Sequence, residues 1–203
     1  MLSPTIPPST TLMKAERWAA DIIYKLQPFC TCVEVAGSVR RKCTHVHDLE
    51  IMCLPNVVEC TDLFGNVTGW LRVAGFHEAV DSLGVKLKGN IVNGRYIQLM
   101  LEDNFNLDLF VPDEKDYYRQ LCIRTGSADF VRERIAYRWK VKGWCGSDKG
   151  FRRTKDCIQS FDGGGKAKWI CVNDKGELPP VWESEEEFFE WMHLPYVVPE
   201  LRK

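Results

Sequence analysis

The chain lacks any uninterrupted run of about 18 apolar residues, which is roughly the length a membrane-spanning helix needs, so we expect no membrane partner. Its first residues, MLSPTIPPSTTLMK, contain neither a cationic segment nor an apolar core. This excludes a secretory signal and predicts a flexible leader over residues 1–11. Hydrophobic residues make up 45% and charged residues 27% of the 203, so wholesale disorder is excluded as well.

C-x-x-C pairs are also absent, although the chain contains nine cysteines. The closest spacing is the C-x-C of Cys30 and Cys32. An odd count without an export signal favours reduced thiols in a cytoplasmic compartment, and a structural zinc site is the alternative.

The formal net charge is only −1, but the charges are unevenly distributed. Between Arg124 and Lys155 there are ten cations and three acids, a net charge of +7. A neutral protein with one concentrated basic segment is expected to bind a polyanion locally. The alternative is a solvated helix face with no ligand.

Hydrophobic periodicity predicts an α+β fold. In the first part of the chain we expect helices over 12–29 and 69–83, and strands at Val33–Val35, His45–Leu54, Val85–Lys88, Arg95–Leu101 and Asn106–Val111. Pro112 ends the last of these strands and marks a boundary between subdomains. In the second part we expect helices near 114–122, 127–142 and 184–192, and a strand at Trp169–Val172 after the turn at 162–165.

Two acids two residues apart on one predicted strand suggest a metal site. Residues i and i+2 of a strand point the same way, so Asp48 and Glu50 share a face and His47 takes the other. Asp108 alternates with Leu107 and Leu109 on a later strand and could join them. Carboxylates gathered in this way repel one another, and a bound Mg²⁺ relieves the repulsion. The alternative is three unrelated surface acids.

A turn-forming pair precedes these acids, in the sequence Gly37-Ser38-Val39-Arg40-Arg41. Glycine allows the backbone to approach a ligand closely, and a hydroxyl with a guanidinium can hydrogen bond to phosphate oxygens. By itself, Gly-Ser signals only a turn.

Taken together, GSVRR, a D-x-E eleven residues after Gly37 and a lone Asp on a later strand resemble the nucleotidyltransferase superfamily. IRTGSADFVRERIAYRWKVKGW is similar to the thumb of family X DNA polymerases, and SEEEFFEWMHLPYVVPELRK is similar to the end of that family. The resemblance runs from about Ala15 to Leu201 and is greatest to the short palm-and-thumb forms of viruses and prophages. It implies a mixed-sheet palm with helices on one face over 12–112, and a small α+β thumb over 113–203.

The resemblance also implies roles for individual residues. Asp48, Glu50 and Asp108 would bind two Mg²⁺ ions, for which Mn²⁺ can substitute, and would catalyse transfer of a nucleotide to a primer 3′-hydroxyl. The residues implied for binding the nucleoside triphosphate are Gly37, Ser38, Arg41, Arg124, Gly126 and Ser127. The residues implied for binding primer–template or gapped DNA are Arg132, Arg134, Arg138, Lys140 and Lys142. We therefore expect a monomeric DNA-directed DNA polymerase that fills gaps or repairs DNA. Its expected location is the cytoplasm, which for a viral or phage protein is the cytoplasm of the host cell.

Several positions depart from the family pattern. Glu50 stands where most relatives have Asp, and Ile123-Arg124 stands where better-studied relatives have Tyr-Phe before the TGS turn. Two alternative functions therefore remain. One is a nucleotidyltransferase that uses no template, and the other is a non-catalytic nucleic-acid-binding protein with this fold.

Overall fold

The computed structural model describes residues 9–161 and 167–203. Residues 1–8 of the expected leader and the whole of the expected turn at 162–165 lie outside the described residues. Contacts between residues divide the chain into two compact units. The first unit comprises Met1–Ser127 and Val197–Arg202, and the second comprises Ala128–Tyr196 with Lys203.

The first unit alternates short helices with strands. Its elements in chain order are β1 (Thr10–Thr11), α1 (Leu12–Leu26), β2 (Cys30–Val35), α2 (Gly37–Arg40), β3 (His45–Val46), β4 (Asp48–Pro55), β5 (Val57–Thr61), β6 (Val67–Arg72), α3 (Ala74–Asp81), β7 (Val85–Gly89), β8 (Tyr96–Met100), β9 (Asn106–Phe110) and α4 (Tyr117–Thr125).

Five of these strands form a mixed sheet in the order β2-β4-β9-β8-β7. Strands β4 and β9 are parallel, and the other neighbours are antiparallel. Helix α1 places Ala15, Ala19, Ile22 and Leu26 on one buried stripe, because these residues recur at helical spacing. This stripe packs with Phe76 and Val80 of α3 on one face of the sheet, in the main hydrophobic core.

Along the central strands, successive side chains alternate between this core and the opposite face of the sheet. Leu49 and Ile51 of β4, and Leu107 and Leu109 of β9, are fully buried in the core. The residues between them point to the other face, as the period of two requires. The predicted helix over 12–29 and the three predicted strands from Val85 to Val111 are confirmed, with ends that differ by a few residues.

The structure corrects three expectations about local structure. Thr10 and Thr11 of the expected leader pair with β3 instead of remaining free. The strand predicted over His45–Leu54 bends at His47, so Val46 is buried and His47 is exposed, not directed into the core. The predicted helix over 69–83 begins only at Ala74, because Val67–Arg72 pairs with Val57–Thr61 as a hairpin.

That hairpin, β5–β6, forms a two-stranded sheet of its own. Leu63 and Phe64 at its tip are 101% and 89% exposed. The carboxylate of Asp62 holds the tip by accepting hydrogen bonds from the backbone N–H groups of Phe64 and Asn66, at 2.8 and 2.9 Å. The apolar tip is therefore held out in solvent by an ordered turn.

Helix α4 belongs to the first unit, although the expected boundary lay at Pro112. It packs on the sheet through a second cluster of buried side chains, comprising Ala36, Met52, Phe110, Tyr117 and Leu121. Two arginines of the α2 region also hydrogen bond to Thr125 at its end. These contacts place the compact-unit boundary after Ser127, about one helix later than the sequence predicted.

The second unit begins with a helical segment and continues into a small sheet. Its elements are α5 (Ala128–Phe130), a π-helical stretch (Val131–Ala136), α6 (Tyr137–Val141), β10 (Trp144–Ser147), β11 (Gly150–Arg153), β12 (Cys157–Phe161), β13 (Ala167–Cys171) and α7 (Glu185–Trp191). The strand order is β11-β10-β13-β12, with β10 and β13 parallel. The predicted helices and the strand ending near Val172 are present, whereas β10, β11 and β12 were not predicted.

Aromatic rings form much of the interior of the second unit. Trp144 is 2% exposed and stacks on Phe151 with ring centroids 5.2 Å apart, and Trp182 and Trp191 pack around the same ring. These rings bury large apolar areas, so Trp144 serves the core of the second unit. Across residues 9–161 and 167–203, no helix is both long and apolar enough to cross a membrane.

Candidate active site

Three carboxylates project from the sheet face opposite α1 and α3. Glu50 of β4 and Asp108 of β9 are directly paired in the parallel ladder, and Asp48 pairs with Asn106 two residues earlier. Because paired residues of adjacent strands point to the same side, the three acids share one face. The structure thus brings together the three residues that the sequence predicted as catalytic and metal-binding.

The carboxylates influence one another electrostatically. Burial raises the pKa of Asp48 above its ordinary value, and the negative charge of Asp108 raises it further. Burial also raises the pKa of Glu50 to about 7, and the neighbouring charge of Asp48 adds to the effect. Keeping all of these groups ionised therefore costs free energy that a bound cation would recover.

The donor atoms suit a hard divalent cation such as Mg²⁺, which prefers carboxylate oxygens. Among the described residues, however, no three His, Cys, Asp or Glu side chains are already arranged to hold an ion. The Glu50 carboxylate lies against Gly37, and that of Asp108 accepts hydrogen bonds from Tyr96 and Gln98. The residue types and their shared face nevertheless fit the ion.

Gly37 lies directly against Glu50. It has a φ of +60°, and a Cβ atom added there would be 2.0 Å from Oε2 of Glu50. Both the backbone conformation and the available space therefore require glycine. The neighbouring Ser38 has a buried Oγ with no hydrogen-bond partner among the described residues.

Arginines surround the acids on the side of α2 and α4. The guanidinium of Arg124 lies 4.0 Å from the centroid of the Phe110 ring, and its buried Nε has no partner within the described chain. Burial lowers its pKa, whereas the negative charges of Glu50 and Asp108 raise it. The positive charge of Arg41 in turn lowers the pKa of both Asp48 and Glu50.

Three of the expected triphosphate-binding residues, Arg41, Gly126 and Ser127, already form hydrogen bonds within the protein. Nη1 of Arg41 donates to the carbonyl oxygen of Thr125 at 2.6 Å, and Nη1 of Arg40 donates to Oγ1 of Thr125 at 2.8 Å. The N–H groups of Gly126 and Ser127 donate to backbone carbonyls at 3.0 and 2.9 Å. Neither of these two amides is therefore available to a phosphate in this structure.

Two residues near the acids were missed by the sequence analysis. Tyr96 and Gln98 of β8 both donate to Oδ1 of Asp108, each at 2.9 Å. The alternation of Tyr96 and Gln98 with buried Ile97 and Leu99 was the available signal. The antiparallel register, which pairs Gln98 with Asp108, could not be read from it.

The expected DNA-binding residues lie in the second unit and differ in their surroundings. Arg132 pairs with Asp129 and Glu133 at 2.7 and 3.1 Å. Nζ of Lys142 lies 3.1 Å from Nε2 of His193 and also contacts the Trp191 ring. Three further cations are exposed and enter no ion pair within the described segments: Arg134, Arg138 and Lys140. These three are the strongest candidates for contacting phosphates.

Comparison with known protein families supports this assignment of the second half of the chain. Residues 120–203 match the family model of the DNA polymerase beta thumb. This match supports the predicted polymerase-type thumb. It does not extend to the strands that carry Asp48, Glu50 and Asp108. Comparison with curated proteins gave no match.

Proposed function

We propose that this protein is a DNA-directed DNA polymerase of the family X type, with a nucleotidyltransferase palm in its first unit. The observation that carries the proposal is the pairing of Glu50 with Asp108 on adjacent parallel strands, with Asp48 on the same face. The match of residues 120–203 to a polymerase thumb supplies the context for this acidic face.

Each residue of the face has a task in nucleotide addition. Asp48 and Glu50 would bind both ions, and Asp108 would bind the one near the primer 3′-hydroxyl. Bound Mg²⁺ would lower the pKa of that hydroxyl and neutralise charge on the departing pyrophosphate. The 3′-oxygen forms a bond to the α-phosphorus as the bond from that phosphorus to the β-phosphate bridging oxygen breaks. Asp108 would accept the hydroxyl proton.

The neighbouring groups are suited to the nucleoside triphosphate. Gly37 lets the backbone approach a phosphate, and the unpartnered hydroxyl of Ser38 can donate to one of its oxygens. Arg41 and Arg124 add positive charge beside the acids, which would stabilise the triphosphate as negative charge develops on its leaving group. Gly126 and Ser127 would contribute only after the bonds of their N–H groups rearrange.

The exposed cations of the second unit would bind the backbone of duplex DNA. Lysine and arginine contacts to phosphates are independent of sequence and weaken as salt increases. This mode of binding suits an enzyme that acts on gaps wherever they occur. We therefore propose gap filling during DNA repair as its role.

Primer extension on gapped DNA tests the proposal. The purified protein receives Mg²⁺ and each deoxynucleotide singly, opposite each template base. Addition dictated by the template base supports the polymerase, and addition of any nucleotide regardless of template supports a terminal transferase instead. DNA binding without addition, with Mg²⁺ or Mn²⁺, would leave the non-catalytic alternative. Asp108→Asn should abolish addition while DNA affinity is retained, and a near-normal rate would contradict the role of Asp108.

A further inference from the structure

One carboxylate oxygen of Asp108 is held from the neighbouring strand by two donors. The hydroxyl of Tyr96 and the side-chain amide Nε2 of Gln98 both donate to Oδ1, each at 2.9 Å. Neither donates to Oδ2. The carboxylate is thus fixed through one oxygen, and the other remains available to another ligand.

The sheet itself aligns these donors with the acid. Strands β8 and β9 are antiparallel, and Gln98 is directly opposite Asp108, while Tyr96 is opposite Phe110. The three side chains occupy the same face because Ile97, Leu99 and Leu109 point into the core. Backbone pairing therefore sets the distance of both donors from the acid.

The Tyr96 ring is held independently of its hydroxyl. Its centroid lies 5.3 Å from that of Phe110, and the guanidinium of Arg124 lies 4.0 Å from the same Phe110 ring. A phenylalanine at position 96 would keep the ring contact and remove only the donor. The hydrogen bond can therefore be tested apart from the packing.

We propose that Tyr96 and Gln98 are positioning residues, which fix the carboxylate of Asp108 through Oδ1 so that Oδ2 is presented to a divalent cation. The inference rests on the proposed function, since it assigns Asp108 to a metal-dependent reaction. Hydrogen bonds to the far oxygen of a carboxylate ligand restrict its rotation, and loss of such supporting bonds commonly costs roughly 10–100-fold in metal affinity or activity.

The test compares the wild-type protein with Tyr96→Phe, Gln98→Met and the double variant. Mn²⁺ affinity is measured without DNA, by electron paramagnetic resonance of the free ion, and kcat and KM are measured for single-nucleotide addition on gapped DNA. We expect the double variant to lose about 10–100-fold in Mn²⁺ affinity, in kcat, or in both. The KM for the nucleotide should change little. Each single variant should lose less, because one donor remains on the same oxygen.

A matched control removes the same groups elsewhere in the first unit. Tyr24 is 81% exposed on α1, and Gln120 donates to Asp116, so Tyr24→Phe/Gln120→Met deletes a hydroxyl and an amide–carboxylate bond away from the acids. This control should retain both Mn²⁺ affinity and kcat. Thermal unfolding of all variants separates loss of fold from loss of positioning. If the double variant is unfolded, the Mn²⁺ affinity and kcat of the two single variants test the proposal instead.

Each outcome bears on the proposal. Near-wild-type Mn²⁺ affinity and kcat in the folded double variant would overturn it, and so would a wild-type protein that binds no Mn²⁺. If the wild-type protein binds Mn²⁺ but adds no nucleotide, the proposed polymerase fails. The Mn²⁺ affinities of the variants would then still decide the positioning role.

Discussion

Gly37 and Glu50 are in such close contact that a single added methyl group at Gly37 would lie 2.0 Å from the Glu50 carboxylate oxygen Oε2. This contact joins the turn that follows β2 to the acidic face of β4. A change in the turn therefore acts directly on a proposed metal ligand.

Gly37→Ala is accordingly expected to reduce nucleotide addition strongly. The positive φ costs about 1–2 kcal/mol of folding free energy for a residue with a Cβ, and the new methyl group must also displace Glu50. Urea unfolding and primer extension measure the two effects. Gly65→Ala is the matched control, because Gly65 has a φ of +81° and no heavy atom within 4 Å of an added Cβ. A Gly37→Ala protein as active as Gly65→Ala would contradict the proposed role of the turn.

The free energy of unfolding should depend on pH through Glu50. Burial and the charge of Asp48 raise its pKa from 4.5 to about 7, so between these values the folded protein holds a proton that the unfolded chain has released. This contribution to stability is complete below about pH 4.5 and is lost as the pH rises through about 7, with a slope of at most roughly 1.4 kcal/mol per pH unit. Denaturant unfolding in EDTA over this range measures it.

Glu50→Gln is the control for the pH dependence, since the amide does not titrate. Its stability should fall less between these pH values than that of the wild-type protein. Added Mg²⁺ should stabilise the wild-type protein most at the alkaline end, where the carboxylates are ionised, by preferential binding to the folded state. Equal pH profiles for the two proteins would show that Glu50 does not titrate in this range.

The exposed cations of the second unit should contribute unequally to DNA binding. Arg134→Ala should reduce the slope of log affinity against log salt by about 0.9, the expected loss for one phosphate contact. Arg132→Ala should change the slope less, because Asp129 and Glu133 already pair with Arg132. Fluorescence anisotropy of labelled duplex DNA at several salt concentrations measures both. If Arg132→Ala reduces the slope more than Arg134→Ala does, Arg134 is not the phosphate contact that we propose.

Regular alternation made the central strands predictable. Glu50 and Asp108 stand between core residues and Asp48 directly precedes one, so their common orientation could be deduced from local sequence alone. Their proximity depends on the pairing of β4 with β9, whose paired positions Glu50 and Asp108 are far apart in sequence. Tyr96 and Gln98 could not be predicted for the same reason, because only the pairing register of β8 with β9 brings them next to Asp108.

Other elements were missed because their patterns are ambiguous or short. Trp70 and Leu71 combine with Phe76 and Val80 into an apparent helical repeat, yet Trp70 and Leu71 pair with β5. Strands β10 and β11 have only four residues each, and among the described residues β10 meets β13 through the pair Ser147 and Trp169. Such non-local pairings leave little periodic signal in the sequence.

The carboxy-terminal residues Val197–Arg202 return to the first unit after the chain has built the second. Arg202 is fully buried there, and its backbone carbonyl accepts a hydrogen bond from the N–H of Ser127 at 2.9 Å. Residues Ala128–Tyr196 of the second unit are thus inserted between Ser127 and Val197, and excising them would cut the backbone twice. A fragment that stops at Ser127 would lack this segment and its hydrogen bond to Ser127, so separating the two units calls for a linker that rejoins Ser127 to Val197.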